Sequence, residues 1–251
     1  MTTRQLFNIN AADSSWHVCL KQALQKMNAD YLESLYCSTD WLPGHKKIFN
    51  AFSLSLDKTN YVLFGESPYP RAASANGYAF WDAAVNQLWS DTGLSKPVNR
   101  ATSLRNILKM LLVAEGELNP EEISQAAIAK LNKKKLITTN EELFHHFLSH
   151  GFLLLNATPV LRPDQVQQDA RAWHPFIKHI LNFIFEKRPQ VQLILLGNIA
   201  NSIEKLISHP ATQRLYAEHP YNISFIHNPK ILNFFRPFHL LRKKSENSMV
   251  C

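Results

Sequence analysis

Residues 61–81 read YVLFGESPYPRAASANGYAFW, and this stretch decides how the remainder of the chain is interpreted. Tyr61-Val62-Leu63-Phe64 is an apolar, partly β-branched and aromatic run suited to a buried strand. Gly65 ends it, and Pro68 and Pro70 cannot continue a sheet, so the chain turns into a loop. That loop closes on Gly77 before Phe80 and Trp81. In open α/β sheets, ligands bind at the carboxyl ends of parallel strands, where such a loop emerges. Glu66 offers a carboxylate, Ser67 a hydroxyl, and Tyr69 and Phe80 offer rings. These groups suit water activation, selection by shape and stacking on a planar ligand.

Working outward, three more apolar runs have strand character. Residues 152–156, Phe-Leu-Leu-Leu-Asn, end in an amide at Asn156. Residues 191–196 end at Gly197 and Asn198, and residues 223–226 deliver His227. Helical apolar spacing surrounds these runs. Ser14 and Ser15 are plausible N-caps for a helix through Trp16, Leu20 and Met27, and residues 29–36 predict a second helix. Ser103 stands as an N-cap before Leu104, Ile107, Leu108, Leu111 and Leu112. Residues 141–147 and 176–185 predict two more helices. Residues 115–135 are charged, end in Lys133-Lys134-Lys135 and read as a helical insertion or lengthened connection; a lysine run of this kind is most often a solvated face. The expected fold class is α/β, a single domain (1–251) with a central four-stranded, mainly parallel sheet flanked by helices. Residues 1–13 and 242–251 are expected to fray.

The totals suit that size of domain. The chain has 251 residues, 45% of them apolar and 19% charged, which describes an ordinary globular protein. A formal charge of +7 and a pI near 9.3 favour a polyanionic partner. Cys19, Cys37 and Cys251 are odd in number and widely spaced, so they provide neither a disulfide framework nor a metal pair. The histidines lack ligand spacing, and neither metal nor cofactor is expected. No apolar leader opens the sequence and no run is long enough to span a bilayer, so the chain reads as a cytoplasmic protein with no membrane partner.

The central loop resembles that of the uracil-DNA glycosylases. Their main branch carries Gly-Gln-Asp-Pro-Tyr-His followed by Gly-Leu-Ala-Phe. Here Gly65-Glu66-Ser67-Pro68-Tyr69-Pro70 and Gly77-Tyr78-Ala79-Phe80 align without a gap. Trp41 to Phe52 resembles the family's turn before Ile-Phe-Asn-Ala-Phe, and Ser103-Leu104-Arg105-Asn106-Ile107 its Ser-Leu-Arg-Asn-Ile. Leu153-Leu154-Leu155-Asn156 matches Leu-Leu-Leu-Asn, and His227 with Arg236 matches the end of its last strand. One departure lies at the chemical centre, where Ser67 replaces the family's catalytic Asp. Arg100-Ala101-Thr102 also stand where prolines are usual.

The resemblance implies an enzyme that flips uracil, or a related modified pyrimidine, out of single- or double-stranded DNA and hydrolyses its glycosidic bond. A monomer is expected. Phe80 would stack on the flipped ring, Asn156 would read its polar edge, and Tyr69 would exclude a methyl group at C5. Glu66, Ser67 and His227 would be catalytic. Ser103, Gly197, Asn198 and Arg236 would hold DNA, and Ile231 or Leu232 would enter the space the base vacates. A thermophile-type branch with Gly-Glu-Ala-Pro-Gly offers precedent for Glu66 in place of the missing Asp. Two alternatives stay open: a DNA-binding processivity protein of impaired catalysis, as in poxvirus relatives, and a glycosylase for modified phage pyrimidines in anti-phage defence.

Overall fold

The computed structural model describes residues 7–209 and 212–243. In chain order its helices are α1 (His17–Gln25), α2 (Ala29–Cys37), α3 (Lys96–Arg100), α4 (Thr102–Ala114), α5 (Gln125–Ala129), α6 (Asn140–Ser149), α7 (Val166–Lys187), α8 (Ile199–Glu204) and α9 (Pro229–Phe235). The strands are β1 (Tyr61–Gly65), β2 (Trp89–Ser90), β3 (Gly93–Leu94), β4 (Phe152–Asn156), β5 (Gln192–Leu196) and β6 (Arg214–Ala217). The chain sorts into two compact units. One comprises the stretches up to Ala83 and from Leu148 to Tyr216; the other runs from Ala84 to Phe147 and from Ala217 on.

The first unit carries the expected α/β architecture. Its sheet has the order β4-β1-β5-β6, with β1 parallel to both β4 and β5. The apolar runs seen in sequence are buried on both faces, as parallel strands between helices require. On one face lies α7, whose stripe of Trp173, Phe176, Ile177, Ile180, Leu181 and Ile184 is fully buried. Asp169, 0% exposed on the same helix, is ion-paired with Arg162 and accepts a hydrogen bond from the Tyr31 hydroxyl at 2.8 Å. This ties the segment after β4 to α7 and α2.

The second unit is built around α4, with Leu104, Leu108, Leu111 and Leu112 all fully buried. α3 abuts its start, α9 packs on it, and β2 and β3 form a small antiparallel hairpin.

Four expectations are corrected. Residues 223–226 are not a strand: Ile223–His227 is a 3-10 turn, with Ile223 63% exposed and Phe225 and Ile226 buried side by side. The segment's N–H groups bond within the turn, Phe225 to Asn222 O at 3.2 Å and Asn228 to Phe225 O at 3.4 Å, as a 3-10 turn requires; β6, an edge strand, is the fourth member instead. The first helical turn is capped by Asp13, which accepts from the Ser15 N–H, and not by Ser14 or Ser15. Ser103 is no cap either, since it lies inside the first turn of α4 behind Ala101. Finally, residues 7–13 do not fray. Phe7 is buried against Trp41, His45 and Phe49, and Asp13 donates its N–H to Phe52 O at 2.9 Å. At the other end Arg242 and Lys243 are bridged to residues 135 and 136; the remaining tail residues lie outside the described ones.

Candidate active site

Because β1, β4 and β5 are parallel and in register, Gly65, Asn156 and Gly197 come to the same edge of the sheet. Gly65 faces Asn156 directly, and Phe64 faces Leu195. The loops leaving β1 and β4 are then laced together. Ala157 N–H donates to Gly65 O and Thr158 N–H to Glu66 O, both at 2.9 Å, and Ala79 N–H donates to Leu154 O at 3.0 Å. Glycine is required at Gly65 by proximity, since a β-carbon there would lie 2.6 Å from Asn156 Oδ1 and 2.9 Å from Ala79 Cβ.

The loop is propped from below by the segment preceding β1. Gly77, at φ +91°, presses on Lys47, whose carbonyl oxygen a β-carbon would meet at 2.0 Å. Asn50 Nδ2 donates to Asn76 O at 2.8 Å and Lys47 Nζ to Ala75 O at 3.4 Å. Phe80 is buried and has φ 63°, a conformation few non-glycine residues adopt. It is held there by its neighbours: the Tyr69 hydroxyl donates to Phe80 O at 3.1 Å, and two residues along each way Arg71 pairs with the buried Asp82 at 3.1 Å. Burial and then the Asp82 charge push the Tyr69 phenol above its ordinary range, so it remains a protonated donor. The Arg71–Asp82 rung was missed in sequence, where neither residue belongs to a motif.

Asn156 is 3% exposed, and among the described residues its amide makes no hydrogen bond. A turn-forming Asn uses its side chain on nearby backbone; this one does not. Its polar atoms are not sealed from solvent, so the amide stays open to an incoming partner. Glu66 is exposed, Ser67 half-buried, Gly197 half-buried at φ 71°, and Asn198 exposed at the start of α8.

In the second unit His227 is exposed at the end of its 3-10 turn, and its backbone is fixed from both sides. The buried Asn106 amide donates to Pro220 O at 2.7 Å and lies within reach of the Tyr221 and Asn222 carbonyls at 3.3 and 3.5 Å. Asn228 caps α9 through Oδ1 and donates from Nδ2 to Glu218 Oε2 at 2.6 Å. The Asn106 clasp was not evident from sequence, because its partners lie 114 to 116 residues away. Ile231 is 0% exposed, which removes it as an intercalating wedge: it packs with Phe235 on the inner side of α9, while Leu232 is half-exposed. Arg236 is exposed with Nε on Ala114 O at 3.3 Å, and Ser103 is half-buried.

No protein-family profile matches the chain. Among curated proteins it is similar to the uracil-DNA glycosylase of Amoebophilus asiaticus, 28% identical over 212 residues covering 82% of each chain. It is also similar to uracil-DNA glycosylase 2 of Bacteroides fragilis, 27% identical over 218 residues, 84% of this chain and 85% of the relative. Among solved structures, the mimivirus uracil-DNA glycosylase shares the fold, with a TM-score of 0.59 at 16% identity over 85% of this chain and 71% of its own. The wild-type UNG of Nitratifractor salsuginis matches with a TM-score of 0.90 at 40% identity, over 95% of this chain and 96% of that one. Similarity of that depth along nearly the full length shows that the chain belongs to the uracil-DNA glycosylase superfamily.

Proposed function

We propose that the protein is a uracil-DNA glycosylase, which takes a uracil out of the DNA stack and hydrolyses its N-glycosidic bond to leave an abasic site. The observation that carries the pocket assignment is the Asn156 amide, which makes no hydrogen bond among the described residues and lies beside a glycine that makes room for it. An amide offers an N–H to O4 and an oxygen to N3–H, the pattern that separates uracil from cytosine. Phe80, held at positive φ, supplies a stacking face, and Tyr69, pinned to the Phe80 carbonyl, fills the place beside C5.

Bond breaking leaves a cationic sugar and an anionic base. In this reading Glu66 stabilises the sugar cation, orients water and takes its proton as the water oxygen bonds to C1′, while the base departs with the pair of the broken C–N bond. Ser67 assists by hydrogen bonding that water. His227 donates to the base O2, as the resemblance implies, and stabilises the negative charge. Ser103, Gly197, Asn198 and Arg236 contact the DNA backbone, and Leu232 occupies the space left by the flipped base. The whole chain is read as one glycosylase domain acting as a monomer. The curated relatives bear the names of enzymes, which favours catalysis over a purely DNA-binding role. The pinned Tyr69 weighs against bulky C5-modified bases.

The test is single-turnover excision by wild type and Asn156→Asp on duplexes containing uracil, cytosine or a modified pyrimidine. Wild type should release uracil. Asn156→Asp should lose most of that activity and gain relative preference for cytosine, since an ionised Asp accepts but cannot donate. Unchanged base preference in the variant would show that Asn156 does not read the base.

A further inference from the structure

The lysine run that closes the 115–135 segment has a partner that the sequence does not reveal. Lys133–Lys135 form a short 3-10 turn, and the chain beyond them runs antiparallel to the carboxyl-terminal stretch. Leu136 bridges Arg242, Ile137 N–H donates to Leu241 O, and Lys243 N–H donates to Lys135 O, both at 2.9 Å. Leu136, Ile137, Leu240 and Leu241 all lie buried beneath this small ladder, at 1% exposure or less. The backbone pairing therefore turns the intervening cations outward. Lys130, Lys134, Lys135, Arg242 and Lys243 are exposed, and Lys133 is half-exposed. Two basic runs separated by about a hundred residues of sequence become one patch.

Crowding six cations raises the local potential and costs folding free energy through repulsion, unless an anion is there to offset it. The protein supplies little of that. Arg242 approaches Glu117 at 3.6 Å, and among the described residues none of these lysines has an ion pair. The patch also continues from the segment the family resemblance assigns to DNA. Arg236 lies on the Ala114 carbonyl at the end of α4; the next residue, Glu115, accepts the Leu241 N–H at 3.0 Å, and Arg242 follows. Basic side chains thus run from Arg236 across the end of α4 to the lysine turn, all within the second unit.

We propose that this lysine ladder is an auxiliary contact for the sugar–phosphate backbone of the DNA, gripping the duplex outside the base pocket. This rests on the glycosylase reading for the identity of the polyanion, and on the observed pairing for the site. Each phosphate neutralised on duplex DNA releases counterions and adds roughly 0.9 to the slope of log affinity against log salt.

The experiment compares wild type with the variant Lys130→Gln, Lys134→Gln, Lys135→Gln, Lys243→Gln, by anisotropy titration at several salt concentrations. The probes are a short uracil duplex covering little beyond the lesion and a long one. All four side chains are solvent-facing, so the fold should be retained. On the long duplex the variant should show a slope shallower by roughly 2 to 4, with weaker binding at low salt. On the short duplex, excision should match wild type. An unchanged slope on the long duplex overturns the proposal. So does a variant that keeps its DNA slope but loses binding to a poly-glutamate peptide, which would make the patch a protein-docking face. If wild type excises no uracil from either duplex, the glycosylase reading fails, while the slopes still decide the ladder.

Discussion

Gly65 and Asn156 stand opposite each other across β1 and β4, so close that a β-carbon on Gly65 would lie 2.6 Å from the Asn156 side-chain oxygen. On its other side that carbon would meet Ala79, which is fixed to Leu154 by a backbone hydrogen bond. Gly65→Ala therefore leaves Asn156 as the group that must move. Overpacking of this kind costs ~1–3 kcal/mol of stability. A displacement near 1 Å of a positioning group costs about a hundredfold in rate. Uracil excision should fall by about that factor with the protein still folded at assay temperature, measured by single-turnover rates beside a thermal melt. A variant that excises at the wild-type rate would show that the pocket does not depend on this approach.

Asn106 gives a second expectation. Its buried amide donates toward the Pro220, Tyr221 and Asn222 carbonyls, the backbone that leads into His227. Asn106→Ala leaves these acceptors short of a donor, at about 1–3 kcal/mol. Asn106→Asp should be worse than Asn106→Ala, because a carboxylate would face carbonyl oxygens. If the clasp positions His227, both variants should reduce the single-turnover excision rate more than they weaken DNA affinity. Equal stability of the Asp and Ala variants would argue against the donor role.

The contrast between these two sites shows what the sequence could express. β1, β4 and β5 were legible because a strand buried on both faces is written as a continuous apolar run. The fourth strand was misread because Ile223, Phe225 and Ile226 form such a run too, and four residues are too few to distinguish a strand from a tight helical turn. The true edge strand, Arg-Leu-Tyr-Ala, is half-exposed and has no comparable signal. Asn156 stands out in the sequence because it ends an apolar run within a block that resembles the family's. The clasp by Asn106 does not, since its partners are carbonyls 114 to 116 residues away, which no local pattern marks. Ile231 and Leu232 could have been separated: Ile231 is four residues from Phe235, and that spacing puts both on the buried face of α9.

Glu115 predicts a pH dependence. It is buried at the end of α4, with Oε1 accepting the Leu241 N–H and Oε2 without a partner. Burial pushes its carboxyl up from 4.5 to about 7, against the backbone bond and Arg242, which pull it down, and with Glu117 adding to the rise. A folded-state value above the unfolded one means that stability is fully present below pH 4.5 and is lost as pH rises through about 7. The loss amounts to ~3 kcal/mol at most. Glu115→Gln carries no charge at either extreme, so it should match wild type near pH 4.5 and exceed it in urea unfolding above pH 8. A variant less stable than wild type at both pH values would show that the ionised carboxylate is favourable here.

The missing Asp leads to the last expectation. Glu66 is exposed at the mouth of the loop, with its backbone held by Thr158, and Ser67 beside it is half-buried and carries no charge. If Glu66 supplies the carboxylate, its charge matters chiefly after the glycosidic bond begins to break, so it acts on the transition state and not on binding. Glu66→Gln should then lower single-turnover excision by about a hundredfold or more while DNA affinity holds. Ser67→Ala should be mild, since a hydroxyl offers water at most one hydrogen bond, about 1 kcal/mol. Ser67→Asp should raise excision by restoring a carboxylate at the position where the family carries one. A chain that only bound DNA would give another pattern: wild type, Glu66→Gln and Ser67→Ala would all be inactive, and Ser67→Asp alone would gain activity. Should Glu66→Gln excise as fast as wild type, the carboxylate is dispensable, and His227 acting on the departing base must carry the rate without a carboxylate in this loop.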